Sequence, residues 1–193
     1  MAARTRRSHP PAGVVPLSPR NKWRAILLAT LLWAPGYWAM VAGLVSLAGD
    51  EPDQPLAGPY IAFGLALIPF VFLVLAIMSE HPRAPGAVLR AMALVLLVGI
   101  PVSAVASDAV TGLVAGLGAG GIVALRADVG HSWKARAIAV AAVTVYSAFL
   151  LRTVSEVALV IGPALPFTIL GIADHLSERR RDREAEAGHE TGR

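Results

Sequence analysis

The sequence predicts an all-α integral membrane protein, a bundle of six transmembrane helices with both termini in the cytoplasm. Of its 193 residues, 55% are hydrophobic and 16% are charged, whereas soluble domains carry about 25% charged residues. The charges are missing from long continuous blocks, as in chains that cross a bilayer. When the chain is threaded as six spans, sixteen of the 17 Lys and Arg residues fall on one side, as positive-inside topology requires.

The transmembrane domain is predicted at residues 18–173, with one apolar block for each span. The six predicted spans are residues 25–48, 59–78, 87–106, 109–125, 136–151 and 154–173. Ser18 and Pro19 predict the start of the first helix, because Ser is a favoured N-cap and Pro a favoured first helical residue. The basic, Pro-rich residues 1–17 are predicted to be a disordered cytoplasmic tail, and residues 174–193 a charged cytoplasmic tail.

The last apolar block, residues 137–173, is predicted to fold as a hairpin of two spans. As a single helix its 37 residues would measure about 55 Å, well beyond a hydrocarbon core of about 30 Å. Thr153 and Glu156 match a capping box, which places a tight turn at residues 151–153. The hairpin also keeps the Arg-rich tail on the cytoplasmic side and leaves Arg152 as the single Lys or Arg on the outer side.

The first span has two features of an export signal. Ser46 to Ala48 resembles a small-residue cleavage site, and Arg6-Arg7 is a twin-arginine pair. The apolar stretch is longer than the core of a signal peptide, which has about 7–15 residues, and further spans follow it. We therefore expect an uncleaved anchor, and cleavage would leave five spans.

Gly112, Gly116 and Gly120 form a GxxxGxxxG series in the fourth predicted span. Residues four apart share a helix face, and glycine lets two backbones approach closely in lipid. We expect these glycines to form a helix-packing seam inside the monomer. A seam between two copies of the chain, or a glycine-lined substrate path, are the alternatives.

Three charged residues are candidates for substrate binding or gating. Arg152 and Glu156 are the opposite-charge pair within an apolar block, and charged groups in membranes are costly and often functional. At the outer interface Arg152 could instead snorkel while Glu156 caps a helix. Asp108 is also expected to be the N-cap of the fourth span.

Prolines are expected to interrupt two of the spans. Pro163 and Pro166, with Gly162 before them, should break the sixth span, and Pro35 should disturb the first. Interrupted helices can frame a binding site in transporters, although membrane helices in general also tolerate them.

The sequence lacks the residue patterns of the common enzyme and metal sites. It has no cysteine and no GxSxG, Walker or dinucleotide motif, and its histidines lie in tails or loops. We therefore expect no catalytic residues, no metal and no cofactor. The net charge of +4 and the pI near 10.1 are explained by the positive-inside topology. They are not taken as a sign of nucleic-acid binding. The expected partners are the lipid bilayer and its anionic head groups, bound through Arg179, Arg180, Arg181 and Arg183.

These features favour a non-enzymatic accessory or assembly subunit of the cell membrane that acts through helix packing. Its expected protein partner is a second copy of the chain or another subunit of a membrane complex. The alternative is a small-solute carrier. In length, in number of spans and in the small-xxx-small pair Ala25 and Ala29, the chain resembles the substrate-binding S-component of energy-coupling factor transporters. That resemblance implies a six-span subunit that docks its partner through small-residue faces.

Overall fold

The computed structural model describes two long stretches and several short pieces of the chain. The described residues are 18–49, 56–125, 138, 141–142, 145–146, 159–172, 175–176, 179 and 183. Their regular secondary structure is entirely helical, and no strand occurs among them. The all-α class is therefore confirmed for this part of the protein.

Four helices make up the continuous part of the bundle. They are α1 (Pro19–Ala48), α2 (Ala57–Met78), α3 (Ala84–Ala106) and α4 (Ala109–Ala124). Among the described residues, α1, α2 and α3 are long and apolar enough to cross a membrane, so the chain is a membrane protein. The 16 residues of α4 span only about 24 Å, which is less than a hydrocarbon core.

Side-chain caps begin two of these helices. The Ser18 Oγ accepts a hydrogen bond from the Asn21 backbone N–H at 3.3 Å, and Pro19 is the first helical residue, so the predicted start of α1 is confirmed. The Asp108 carboxylate accepts from the backbone N–H of Val110 at 3.2 Å and of Thr111 at 2.9 Å. Asp108 is thus the N-cap of α4, as expected.

The first two helices form an antiparallel pair. Gly43, near the end of α1, lies against Ala57 at the start of α2. Further back along α1, Gly36 lies against Leu67, which is further along α2. The opposite order of the contacts fixes the antiparallel direction, and α1 continues as a helix through Pro35.

The next two helices form a second antiparallel pair, and α4 is the more buried of the two. Gly112, near the start of α4, faces Ser103 near the end of α3, and Gly120 faces Ala91. Twelve of the sixteen residues of α4 are buried. In contrast, large apolar side chains such as Leu31 and Leu97 are exposed on the outside of α1 and α3, as on lipid-facing helices.

Residues 159–172, named here the C-terminal segment, lie beside α1. Residues 159–161 and 165–172 are helical, with a turn at 162–164, so the predicted break near Gly162 and Pro163 is confirmed. Gly171 contacts Trp23 near the start of α1, whereas Leu159 accepts a hydrogen bond from Trp38 further along. The segment is therefore antiparallel to α1, and its end lies beside the start of α1. This end of the bundle is named the Ser18 end.

Several predicted features lie outside the described residues. They are the tail at 1–17, the capping box of Thr153 and Glu156, and the turn at 151–153. Only separate pieces of the fifth predicted span and of the tail at 174–193 are described, and all of them are helical.

Candidate functional site

The glycines of α4 lie where its backbone meets the backbone of α3. A methyl group built on Gly116 would lie 2.7 Å from the Val95 carbonyl oxygen and 3.1 Å from the Val95 Cα. Real Cβ atoms essentially never come within 3.0 Å of another heavy atom. No side chain larger than hydrogen therefore fits at residue 116 unless the two helices move apart.

The same close approach occurs one turn to either side of Gly116. A methyl group on Gly112 would overlap the Gly99 carbonyl oxygen and the Ser103 Oγ, and one on Gly120 would lie 2.9 Å from the Ala91 carbonyl oxygen. The structure thus places Gly112, Gly116 and Gly120 on one face of α4. This face and the part of α3 that it touches are named the glycine seam.

Sequence reasoning missed the α3 half of the glycine seam. A methyl group on Gly99 would lie 3.1 Å from the Gly112 carbonyl oxygen, so the approach is close from both sides. Ala91, Val95, Gly99 and Ser103 recur every four residues along α3. This repeat of mostly small residues on one helix face was the signal that could have found it.

A second face of α4 packs against the C-terminal segment through side chains. A methyl group on Gly121 would lie 2.8 Å from the Leu170 Cδ1 and 3.4 Å from the Phe167 Cδ1. Leu170 also forms a small apolar cluster with Val114 and Ile122 of α4. Because α3 covers one face and the C-terminal segment another, α4 is enclosed by protein.

Asp108 lies at the end of the glycine seam away from Ser18. Besides capping α4, its Oδ2 accepts a hydrogen bond from the Thr111 Oγ1. The Ser79 Oγ donates to the Ala124 carbonyl oxygen at 3.2 Å, so α2 and α4 end at one level. Because α2 is about 33 Å long and α4 about 24 Å, Asp108 lies roughly 9 Å short of the other end of α2.

The core-facing side of α1 carries polar groups that sequence reasoning did not single out. Lys22, Trp33 and Tyr37 are 3%, 0% and 2% exposed. The buried Thr30 Oγ1 and Trp33 Nε1 have no hydrogen-bond partner within the described structure. An unpaired buried polar group costs about 1–3 kcal/mol, so these two atoms are a place where a polar molecule could gain binding energy.

The break in the C-terminal segment has its own set of hydrogen bonds. Pro163 has no N–H, so the Leu159 carbonyl lacks its usual helical donor, and the Trp38 Nε1 donates to it instead at 2.9 Å. Pro166 likewise offers no N–H to Gly162, whose carbonyl accepts from the Leu165 N–H at 3.3 Å. These two carbonyls are therefore satisfied by protein and are not free to bind a ligand.

A cavity of about 840 Å³ lies against the C-terminal segment and is named the C-terminal groove. Ala142, Val145 and Tyr146 form one wall. The other wall is formed by residues of the segment before, within and after its turn: Ile161, Ala164, Leu165, Thr168, Ile169 and Ile172. Tyr146 and Thr168 are the polar members of this lining, so the groove suits an apolar occupant.

The structure describes only some of the remaining predicted site residues. Arg152 and Glu156 lie outside the described residues, as do Arg180 and Arg181, whereas Arg179 and Arg183 are helical and exposed. The helices and pieces that the structure describes contain no group of three or more His, Cys, Asp or Glu residues that could hold a metal.

Comparisons with known proteins add no relative. No family model, no curated protein and no solved structure matches this chain. The resemblance to S-components therefore rests on the overall plan and on Ala25 and Ala29. Both alanines are fully buried in the core cluster, so they form no surface that a partner could reach in this structure.

Proposed function

We propose that this chain is a non-enzymatic accessory or assembly subunit of the cell membrane that acts through helix packing. The glycine seam is the observation that carries the proposal. At the glycine seam the α3 and α4 backbones approach each other directly, which supports a packing role for α4. Large apolar side chains such as Leu31, Phe70 and Leu97 are exposed on the outer faces of α1, α2 and α3. They offer a surface on which partner helices can pack.

The proposal includes six spans with both termini in the cytoplasm. Two observations support this topology. The start of α1 and the end of the C-terminal segment lie together, since Gly171 contacts Trp23. The Lys and Arg bias would place this Ser18 end on the cytoplasmic side. An even number of spans follows if both tails continue away from the bundle there.

Single cysteines test the topology, because the natural chain has none. Ser18→Cys and Arg183→Cys should resist a membrane-impermeant thiol reagent added outside intact cells and react after permeabilisation. Ala48→Cys, at the other end of α1, should react in intact cells. External labelling of Arg183→Cys would contradict a cytoplasmic C-terminus.

The accessory role is tested by purifying the protein at native abundance in mild detergent and weighing the intact particle. We expect a stoichiometric complex with other membrane proteins. Its mass should not be explained by copies of the 20.1 kDa chain and bound lipid alone. A particle that contains only this chain and lipid would contradict the accessory role.

A small-solute carrier is the second candidate function. The unpartnered Thr30 Oγ1 and Trp33 Nε1 inside the bundle favour it, because a carried polar solute could satisfy them. In a carrier, Thr30→Cys should react with a small water-soluble thiol reagent as the site opens to water. In a packed subunit it should react no faster than Leu31→Cys, which faces outward next to it.

A further inference from the structure

Two polar atoms in the middle of α1 have no hydrogen-bond partner within the described structure. They are the Oγ1 atom of Thr30 and the Nε1 atom of Trp33. Trp33 is fully buried, and the Oγ1 atom is buried although the Thr30 residue as a whole is only half-buried. A Thr hydroxyl in a helix often bonds to the carbonyl one turn back, which is that of Ile26, but here it does not. A partner of another kind is therefore needed.

The orientation of the Trp33 ring brings the two atoms to one side. The ring carbons Cε3 and Cζ3 each lie 3.3 Å from a methyl group built on Gly36, one turn further along α1. The Nε1 atom is on the opposite edge of an indole ring, so it faces away from Gly36. Thr30 lies three residues before Trp33, on the same face of the helix and away from Gly36. The N–H and the hydroxyl therefore lie on the same side of the ring, although they do not bond to each other.

The two atoms also lie near the level of the break in the C-terminal segment. Gly171 lies against Ile26, and Leu159 accepts a hydrogen bond from Trp38. Leu159 and Gly171 are twelve residues apart, as are Ile26 and Trp38. The turn begins three residues after Leu159, which places it beside the part of α1 that contains Trp33. At Pro and Gly interruptions in membrane helices, ordered waters are among the groups that complete the hydrogen bonding.

The surroundings restrict the kind of molecule that can bind here. Trp33 belongs to an apolar core cluster. It is the fifteenth of the 30 residues of α1, so it lies about 20 Å from either end of the helix. A charged ligand is costly at that depth in a membrane. An indole N–H only donates, whereas a Thr hydroxyl both donates and accepts, so the ligand must be uncharged and must carry an acceptor.

We propose that one buried water molecule binds Thr30 and Trp33 beside the break in the C-terminal segment. The water accepts a hydrogen bond from the Trp33 N–H and donates one to the Thr30 Oγ1. Buried waters in proteins typically bond to polar groups that would otherwise be unpaired. Such a water takes up the hydrogen bonds that the carrier alternative assigns to a solute.

Thr30→Val tests the water site, because it removes the hydroxyl with little change of shape. Without the hydroxyl the water loses one of its two bonds, so the Tm in detergent should fall by about 2–4 °C, the shift expected for one lost hydrogen bond. Thr30→Ser keeps a hydroxyl and should stay closer to the natural Tm. If no molecule joins the two groups, Thr30→Val should instead raise the Tm, because it removes an unpaired buried hydroxyl. A rise would overturn the proposal.

The same change in a Trp33→Phe background distinguishes a shared water from two independent atoms. In that background the water has already lost the indole N–H, so Thr30→Val should lower the Tm much less than in the natural chain. Leu31→Ala is the control, because Leu31 is exposed beside Thr30, and it should change the Tm equally in both backgrounds. An equal fall for Thr30→Val in both backgrounds would show that Thr30 and Trp33 share no partner.

A crystal structure of the full chain that resolves ordered water shows the occupant directly, also if Trp33→Phe does not fold. We expect one density peak within about 3 Å of both the Nε1 and the Oγ1 atom. The absence of a peak contradicts the proposal, as does density too large for one water, which would indicate a neutral solute. These measurements involve neither the position of the termini nor a partner subunit. Failure of the water site is therefore distinguishable from failure of the proposed function.

Discussion

The two packed faces of α4 use glycine in different ways. On the α3 face, Gly116 lies against the carbonyl oxygen and Cα of Val95, so backbone meets backbone. On the face toward the C-terminal segment, Gly121 lies against the ends of the Leu170 and Phe167 side chains. A side-chain end can rotate away from an added atom, whereas a backbone moves only with its whole helix. The α3 face should therefore be much less tolerant of substitution.

Gly116→Leu should lower the stability of the protein more than any other variant proposed here. The added side chain would have to separate α3 and α4, and overpacking of this kind costs about 1–3 kcal/mol and occasionally more. We expect a value at or above the upper end, measured as a loss of thermal stability in detergent by circular dichroism. Gly58→Leu is the matched control, because nothing lies within 4 Å of a methyl group at Gly58. Equal stability of the two variants would argue against a tight seam.

Gly116→Ala and Gly121→Ala compare the two faces with the same added methyl group. We expect Gly116→Ala to cost about 1–3 kcal/mol and Gly121→Ala to cost less than about 1 kcal/mol, because the Leu170 end can move. Shortening the neighbour with Leu170→Ala should reduce the cost of Gly121→Ala in a double-mutant cycle. If Gly121→Ala proves the more damaging variant, the distinction between the two faces is wrong.

Asp108→Ala tests the cap at the end of the glycine seam that lies away from Ser18. Loss of a side-chain N-cap typically costs about 1 kcal/mol, and the Val110 and Thr111 N–H groups would lose their acceptor. Thermal unfolding should show a modest drop, which Asp108→Asn should largely restore because Asn is also a good N-cap. A loss of folding in both variants would show that the charge of Asp108, and not its capping, is what the bundle needs.

Gly58→Ala should have the smallest effect and the opposite sign. Alanine is favoured over glycine within helices by roughly 0.5–1 kcal/mol, and no atom lies near the added methyl group. A slight gain in thermal stability is expected. A loss comparable with that of Gly116→Ala would mean that substitution of any glycine disturbs this bundle.

The helices themselves were readable from the sequence because their limits are set locally. Apolar blocks, the Ser18 cap and the Asp108 cap depend on neighbouring residues, and the helix-packing face of α4 follows from its glycine spacing. Which helix that face meets does not follow, because spacing defines a face and not its partner. The link between Trp38 and Leu159, which are 121 residues apart, was hidden for the same reason.

The enclosure of α4 could not be read from composition either. In a soluble protein, polar residues mark the outside of a helix, but here both the core and the lipid-facing surface are apolar. Leu97 of α3 and Leu117 of α4 are both leucines within apolar helices. Leu97 is nevertheless 71% exposed, whereas Leu117 is fully buried. The burial of the Thr30 Oγ1 and of Trp33 was not predicted either, since the sequence does not say which side of α1 faces the core.

Labelling by a lipid-soluble diazirine tests most directly the claim that α4 is an enclosed packing helix. The reagent dissolves in the hydrocarbon core and inserts into side chains that touch lipid. We expect label on Leu31, Phe70 and Leu97, which are exposed on α1, α2 and α3, and none on Val114, Leu117 or Ile122 of α4. Label on the α4 residues at the level found for α3 would contradict the enclosure of α4 and, with it, the packing role proposed for the glycine seam.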